Sequence, residues 1–160
     1  MNNNFIEAEE FLKQPVEVQQ GFMDWWQPKI GDIIGIEYEV IGKNLCTQKF
    51  WKYECINEND LFNYETKEEL INSFIKVNCT GRYYLCLNMS QLVNYIEDNS
   101  LCKIDIEYSP RKEKGYRINF YKIVDTEYGE RCDFLSKREN LGHNLLQALW
   151  KVACKIEKDK

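Results

Sequence analysis

A single histidine, His143, and seven cysteines are the side chains of this chain best suited to proton transfer, nucleophilic attack or metal ligation. Their spacing assembles none of these. His143 is expected in the second turn of a terminal helix, eleven residues from Cys154, which is about 16 Å along a helix and too far for a thiolate pair. Cys46, Cys55, Cys79, Cys86, Cys102, Cys132 and Cys154 nowhere form a C-x-x-C pair, so the spacing of a zinc or dithiol site is missing. With apolar neighbours, as in YYLCL and KVAC, most are expected to pack as small buried hydrophobes. The acidic pairs Glu9/Glu10, Glu68/Glu69 and Glu97/Asp98 are adjacent in sequence, whereas glycosidase carboxylates face each other across a substrate. They read as solvated helix surface. No glycine-rich phosphate loop occurs. The sequence therefore predicts no catalytic residue, no metal ligand and no cofactor, and a protein that is not an enzyme.

Two segments offer recognition instead of reaction. The turn SPRKEKGYR sets Arg111, Lys112, Lys114 and Arg117 against Glu113 alone, with Tyr116 and Tyr121 following. Cations can neutralise phosphates while exposed rings stack on bases, so these residues, Tyr116 among them, form the candidate nucleic-acid surface. The second segment, GFMDWWQPKIGD, carries Phe22, Trp25 and Trp26 ahead of a proline and a Gly-Asp turn. Aromatic side chains dominate both cores and interface hot spots, which makes these three the candidate protein-binding anchors.

Composition narrows the classes. With 160 residues, 44% hydrophobic and 29% charged, the chain is globular and long enough for one core, and it reads as a single domain over 1–160. No apolar run approaches the length of a membrane span, and MNNNFIEAEE lacks the basic and apolar regions of a signal peptide, so a cytoplasmic location without membrane contact is expected. Net charge is -5, divided between 8 basic and 16 acidic residues over 1–100 and 13 basic and 10 acidic over 101–160. Such asymmetry can orient a partner.

The elements follow from periodicity and caps. Asn4 starts a helix that ends before Pro15, and Val16 with Val18 suggests a short strand. From Ile33 to Ile41 a two-residue alternation places Ile34, Ile36, Tyr38 and Val40 on one face, and LCTQKFWKYECI returns as its hairpin partner. Thr66 and Glu69 have capping-box spacing for a helix over 67–76, RYYLCLN reads as a strand, and Ser90 caps another helix. The clearest hairpin joins LCKIDIEY to YRINFYKIV, with Ile104, Ile106 and Tyr108 expected to turn inward against Ile118, Phe120 and Val124. Ser136 and Glu139 repeat the capping-box spacing ahead of a long helix over 137–157. The pattern predicts an α+β fold, with helices on one face of a mainly antiparallel sheet of about five strands.

WQPKIGD (Trp26–Asp32), joined to the terminal ENLGHNLLQALWKVA, resembles small uncharacterised proteins encoded by bacteriophages and prophages. That resemblance implies an accessory or counter-defence role and transfers no active residue. The functional expectation is a protein-protein interaction module, in the form of a phage-derived inhibitor acting by steric occlusion. Its partner would be a host or phage protein or a second copy of the chain. Nucleic-acid binding through the 111–117 hairpin is the alternative.

Overall fold

The computed structural model describes residues 4–41, 47–74, 79–111 and 114–160. The chain divides into two compact units, one spanning Glu7–Leu87 and the other Asn88–Lys160 together with the residues up to Ile6. The α+β class holds. In place of one sheet of about five strands there are two three-stranded antiparallel sheets, one in each unit.

In the N-terminal unit, α1 (Ala8–Leu12) leads to α2 (Val16–Trp25). Val16 and Val18 belong to a helix and not to the expected strand, because Val18, Phe22 and Trp26 recur every four residues and all three are buried. Pro15 stands at the N-cap, where its missing N–H costs nothing. Lys67 closes the other end of the helix, donating from Nζ to the carbonyls of Met23 at 2.7 Å and Trp26 at 3.3 Å. A cation there satisfies orphan carbonyls and opposes the negative end of the helix dipole.

Strands β1 (Ile33–Ile41), β2 (Thr47–Cys55) and β3 (Cys79–Leu85) lie in the order β2-β1-β3. The alternation of β1 predicted this strand, and Ile34 and Ile36 are buried. Two short helices, α3 (Glu58–Asn63) and α4 (Lys67–Phe74), connect β2 to β3. The capping box ahead of α4 forms as its spacing predicts: Glu69 N–H donates to Thr66 Oγ1 at 3.1 Å, and Thr66 N–H to Glu69 Oε2 at 3.3 Å.

In the C-terminal unit, α5 (Met89–Ser100) is capped two residues before the expected Ser90, by Asn88, which forms a capping box with Gln91. Strands β4 (Lys103–Ser109), β5 (Gly115–Thr126) and β6 (Gly129–Arg138) make a meander in the order β4-β5-β6, and α6 (Leu145–Lys158) closes the chain. The helix expected over 137–157 thus starts later. Its capping-box residues sit elsewhere: Ser136 pairs with Phe120 inside β6, and Asn144 is the N-cap, accepting from Gln147 N–H at 3.1 Å. The buried set here comprises Leu92, Tyr95 and Ile96 of α5, Ile118 and Phe120 of β5, and Ala148, Leu149, Trp150, Val152 and Ala153 of α6. Tyr95 donates from its hydroxyl to Glu157, tying α5 to α6. Burial, with the Glu157 carboxylate beside it, pushes the Tyr95 phenol well above its usual range. No helix among the described residues is long and apolar enough to cross a membrane.

Candidate protein-binding face

β5 is the longest strand among the described residues, and only its first half pairs with β4. Register matches Lys103 to Tyr121 at the end of that pairing, while β6 accompanies β5 from Ile118 to Thr126. The distal half of the β5–β6 hairpin therefore extends as a two-stranded ribbon. On one face, Ile118 and Phe120 are buried. The opposite face carries Tyr121 across from Phe134, then Ile123 across from Cys132, then Asp125 across from Glu130. Tyr121 and Phe134 meet edge to face at 5.7 Å between ring centroids. Ile123 is 41% exposed and Phe134 56%, and Cys132 is exposed as well. A bulge at Phe120/Tyr121 leaves Leu135 as the extra residue, 52% exposed. Aromatic and aliphatic side chains thus share a wet sheet face, which folding within one chain does not explain.

Polar groups border this patch at both ends. Asp125 and Glu130 stand toward the turn. Toward β4, Arg117 is paired with Glu107, and also with Glu139 at 3.4 Å, which itself accepts from Lys137 at 3.0 Å. Asn119 donates to Glu107 at 2.7 Å. The Arg117 guanidinium and the Asn119 amide hold the Glu107 carboxyl below the usual range. Lys137, then Arg117, does the same for Glu139. An apolar centre with a paired, charged rim is the usual anatomy of a protein interface.

A cleft of about 330 Å³ opens beside this network, lined by Glu107, Tyr108, Ser109, Lys114, Arg117 and Glu139 among others. His143 lies next to it, outside the helix that was expected to hold it, with Nδ1 3.2 Å from the Tyr108 hydroxyl. The loop carrying His143 is fastened along the start of β5. Tyr116 N–H donates to the Gly142 carbonyl at 2.8 Å, and Leu141 N–H to the Tyr116 carbonyl at 3.2 Å. Gly115 (φ +56°) lies so close to Gly142 that any Cβ would meet its carbonyl. Both carboxylates of the cleft are held ionised by cations, so it offers balanced charge and no carboxylic acid poised to donate a proton. Among the described residues no cluster of three His, Cys, Asp or Glu is placed to hold a metal ion.

The sign of the pH dependence follows from the two depressed carboxyls. Their folded values lie below the unfolded ones, so their contribution is complete above the usual carboxylate range and is lost as pH falls through the folded values. The stability difference between wild type and Arg117→Met should stay constant from about pH 8 to about pH 6 and shrink steadily below about pH 5. Urea titrations at stepped pH check it; a gap that widens in acid contradicts the arrangement.

No family model, curated protein or solved structure matches the chain. The geometry alone decides how far each candidate residue carries. Phe22 and Trp26, expected as interface anchors, are 0% and 2% exposed and belong to the core. Trp25 is half-buried. A buried hydrogen bond holds Trp26 inward: its Nε1 donates to Asp32 Oδ2 at 2.7 Å.

Of the basic hairpin, Arg111 and Lys114 are exposed, Tyr116 is half-buried against Tyr108 at 4.8 Å between centroids, and Lys112 lies outside the described residues. Arg117 is engaged by two carboxylates, so a phosphate would have to displace them. The cysteines divide. Cys86 and Cys154 are buried as expected, and burial pushes the Cys86 thiol up to about 12. Cys55 and Cys132 are instead exposed, each on a strand at the edge of its sheet.

Sequence reasoning identified Tyr121 only as a neighbour of the basic turn and missed Ile123, Cys132 and Phe134. The available signal was the alternation in GERCDFLSKR, where Glu130, Cys132 and Phe134 share one face.

Proposed function

We propose that this protein is a non-enzymatic binding module that docks the outer face of its β5–β6 hairpin onto another protein and acts by covering that partner's surface. The observation that carries this reading is the half-buried Tyr121 beside the exposed Ile123, Cys132 and Phe134, on the face opposite the buried Ile118 and Phe120. Desolvating an aromatic pair flanked by an aliphatic side chain supplies affinity, and the paired charges around it set orientation. Steric occlusion requires nothing further. The inhibitory role implied by the phage-protein resemblance is compatible with such a surface, with the anchors moved from Phe22–Trp26 to the C-terminal hairpin.

Affinity capture from a plausible host lysate tests it with three proteins: wild type, a Tyr121→Ser/Ile123→Ser double variant, and Phe62→Ser. Phe62 is 89% exposed in the other unit and serves as a surface control. Wild type and control should recover the same partner, and the double variant about tenfold less, as expected for loss of hot-spot side chains. Equal recovery by all three, or no specific partner, overturns the reading.

A further inference from the structure

β6 is an edge strand: it pairs with β5 on one side, and among the described residues no strand lies on the other. Natural edges are usually blunted by charge or irregularity, because an unpaired row of N–H and C=O groups recruits other strands. Charges are present here, but their order is self-complementary. The regular stretch Glu130–Phe134 lies between the turn and the bulge. When this stretch runs antiparallel to a second copy with the dyad on Cys132, Arg131 stands opposite Asp133 of the second copy, and Asp133 opposite Arg131. Directly opposed residues in an antiparallel pair share a face, and opposite charges there are favourable. A dyad on Arg131 sets guanidinium against guanidinium, one on Asp133 sets carboxylate against carboxylate, and one on Phe134 sets Arg131 against Lys137.

Within one chain Arg131 and Asp133 already pair, at 2.8 Å between Nε and Oδ1, with Arg131 exposed and Asp133 partly so. Across the dyad the two pairs would close into a ring of four alternating charges. We infer that the protein self-associates through β6, joining two three-stranded sheets into one antiparallel sheet of six strands centred on Cys132. The arrangement places the Phe134 and Cys132 side chains of both copies on one continuous outer face. It pairs the edge of the hairpin and leaves Tyr121 and Ile123 free, although Cys132 and Phe134 belong to both surfaces, so the two readings are tested by different variants.

Sedimentation equilibrium at tens of micromolar protein, with a phosphine reductant present, should give twice the 19.2 kDa chain mass. Arg131→Asp and Asp133→Arg should each weaken the dimer at least tenfold, since each sets like charges opposite one another. The double variant carrying both changes should restore it. In reductant-free buffer, diamide should join the two copies: two thiols lose their protons and two electrons to diamide, which becomes the hydrazine, and one S–S bond forms. Opposed residues in an antiparallel pair are about 4.5–5.5 Å apart at Cα, within disulfide range. Peptide mapping should find Cys132 joined to Cys132. A wild-type monomer throughout the concentration range, a charge swap that fails to restore association, or a dimer without the Cys132–Cys132 bond overturns the inference. If the wild type is monomeric while Tyr121→Ser/Ile123→Ser still abolishes partner capture, self-association alone is rejected.

Discussion

Trp26→Ala should unfold the N-terminal unit instead of uncoupling it from a partner. The indole is 2% exposed, and its N–H donates to Asp32, a carboxylate only 8% exposed that also accepts from Lys29 N–H at 3.0 Å. Truncating a buried tryptophan costs about 3–5 kcal/mol through lost burial and the cavity left behind. The Asp32 carboxylate then loses its buried donor, which adds about 1–3 kcal/mol. Together these come to about 4–8 kcal/mol, a large share of a total stability of about 5–15 kcal/mol and all of it at the lower end. Trp26→Phe keeps most of the apolar volume and loses the N–H, so it should show chiefly the second cost. Urea denaturation followed by far-ultraviolet circular dichroism separates the two variants. A Trp26→Ala protein that keeps its midpoint and loses only a binding partner would return this residue to the interface.

The same segment shows how far the sequence could be read. Two-residue alternation gave β1, β4 and β5 because one face of each must be apolar, and that requirement is written in local order. The Thr66/Glu69 capping box was legible because both of its bonds are local. Identical spacing at Ser136/Glu139 misled, since a box of four residues competes with tertiary pairing, and at Ser136 the ladder to β5 prevails. Pro15 carries two meanings, helix stop and helix start, and only the burial of Val18, Phe22 and Trp26 selects the second. The choice between Trp25 and Trp26 depends on which indole reaches Asp32 across a turn whose Gly31 has φ +89°. The candidate face was hidden for a related reason. Until β6 is recognised as a strand, Cys132 and Phe134 have no face, and Tyr121 has no partner ring.

Gly35→Ala should also destabilise this unit strongly, although it adds a single methyl group. Gly35 has ordinary strand geometry, so backbone freedom is not the reason for glycine. The reason is close approach: a Cβ at this position would fall against the ring and hydroxyl of Tyr84, the residue it faces across β1 and β3. Tyr84 cannot yield. It is 0% exposed, with Phe11 at 6.1 Å on one side and the Trp51 ring edge-on at 4.7 Å on another, all between ring centroids. Overpacking a core typically costs about 1–3 kcal/mol, and a ring held this way places the expected loss at the upper end, about 3 kcal/mol. A double-mutant cycle isolates the cause. Tyr84→Ala alone should cost about 3–5 kcal/mol, and adding Gly35→Ala to it should cost almost nothing more, because the atoms that clash are gone. The two changes should therefore miss additivity by about 2–3 kcal/mol in the rescuing direction. Additive losses would mean that the cost of the added methyl group does not arise from Tyr84 and that some other contact requires glycine here.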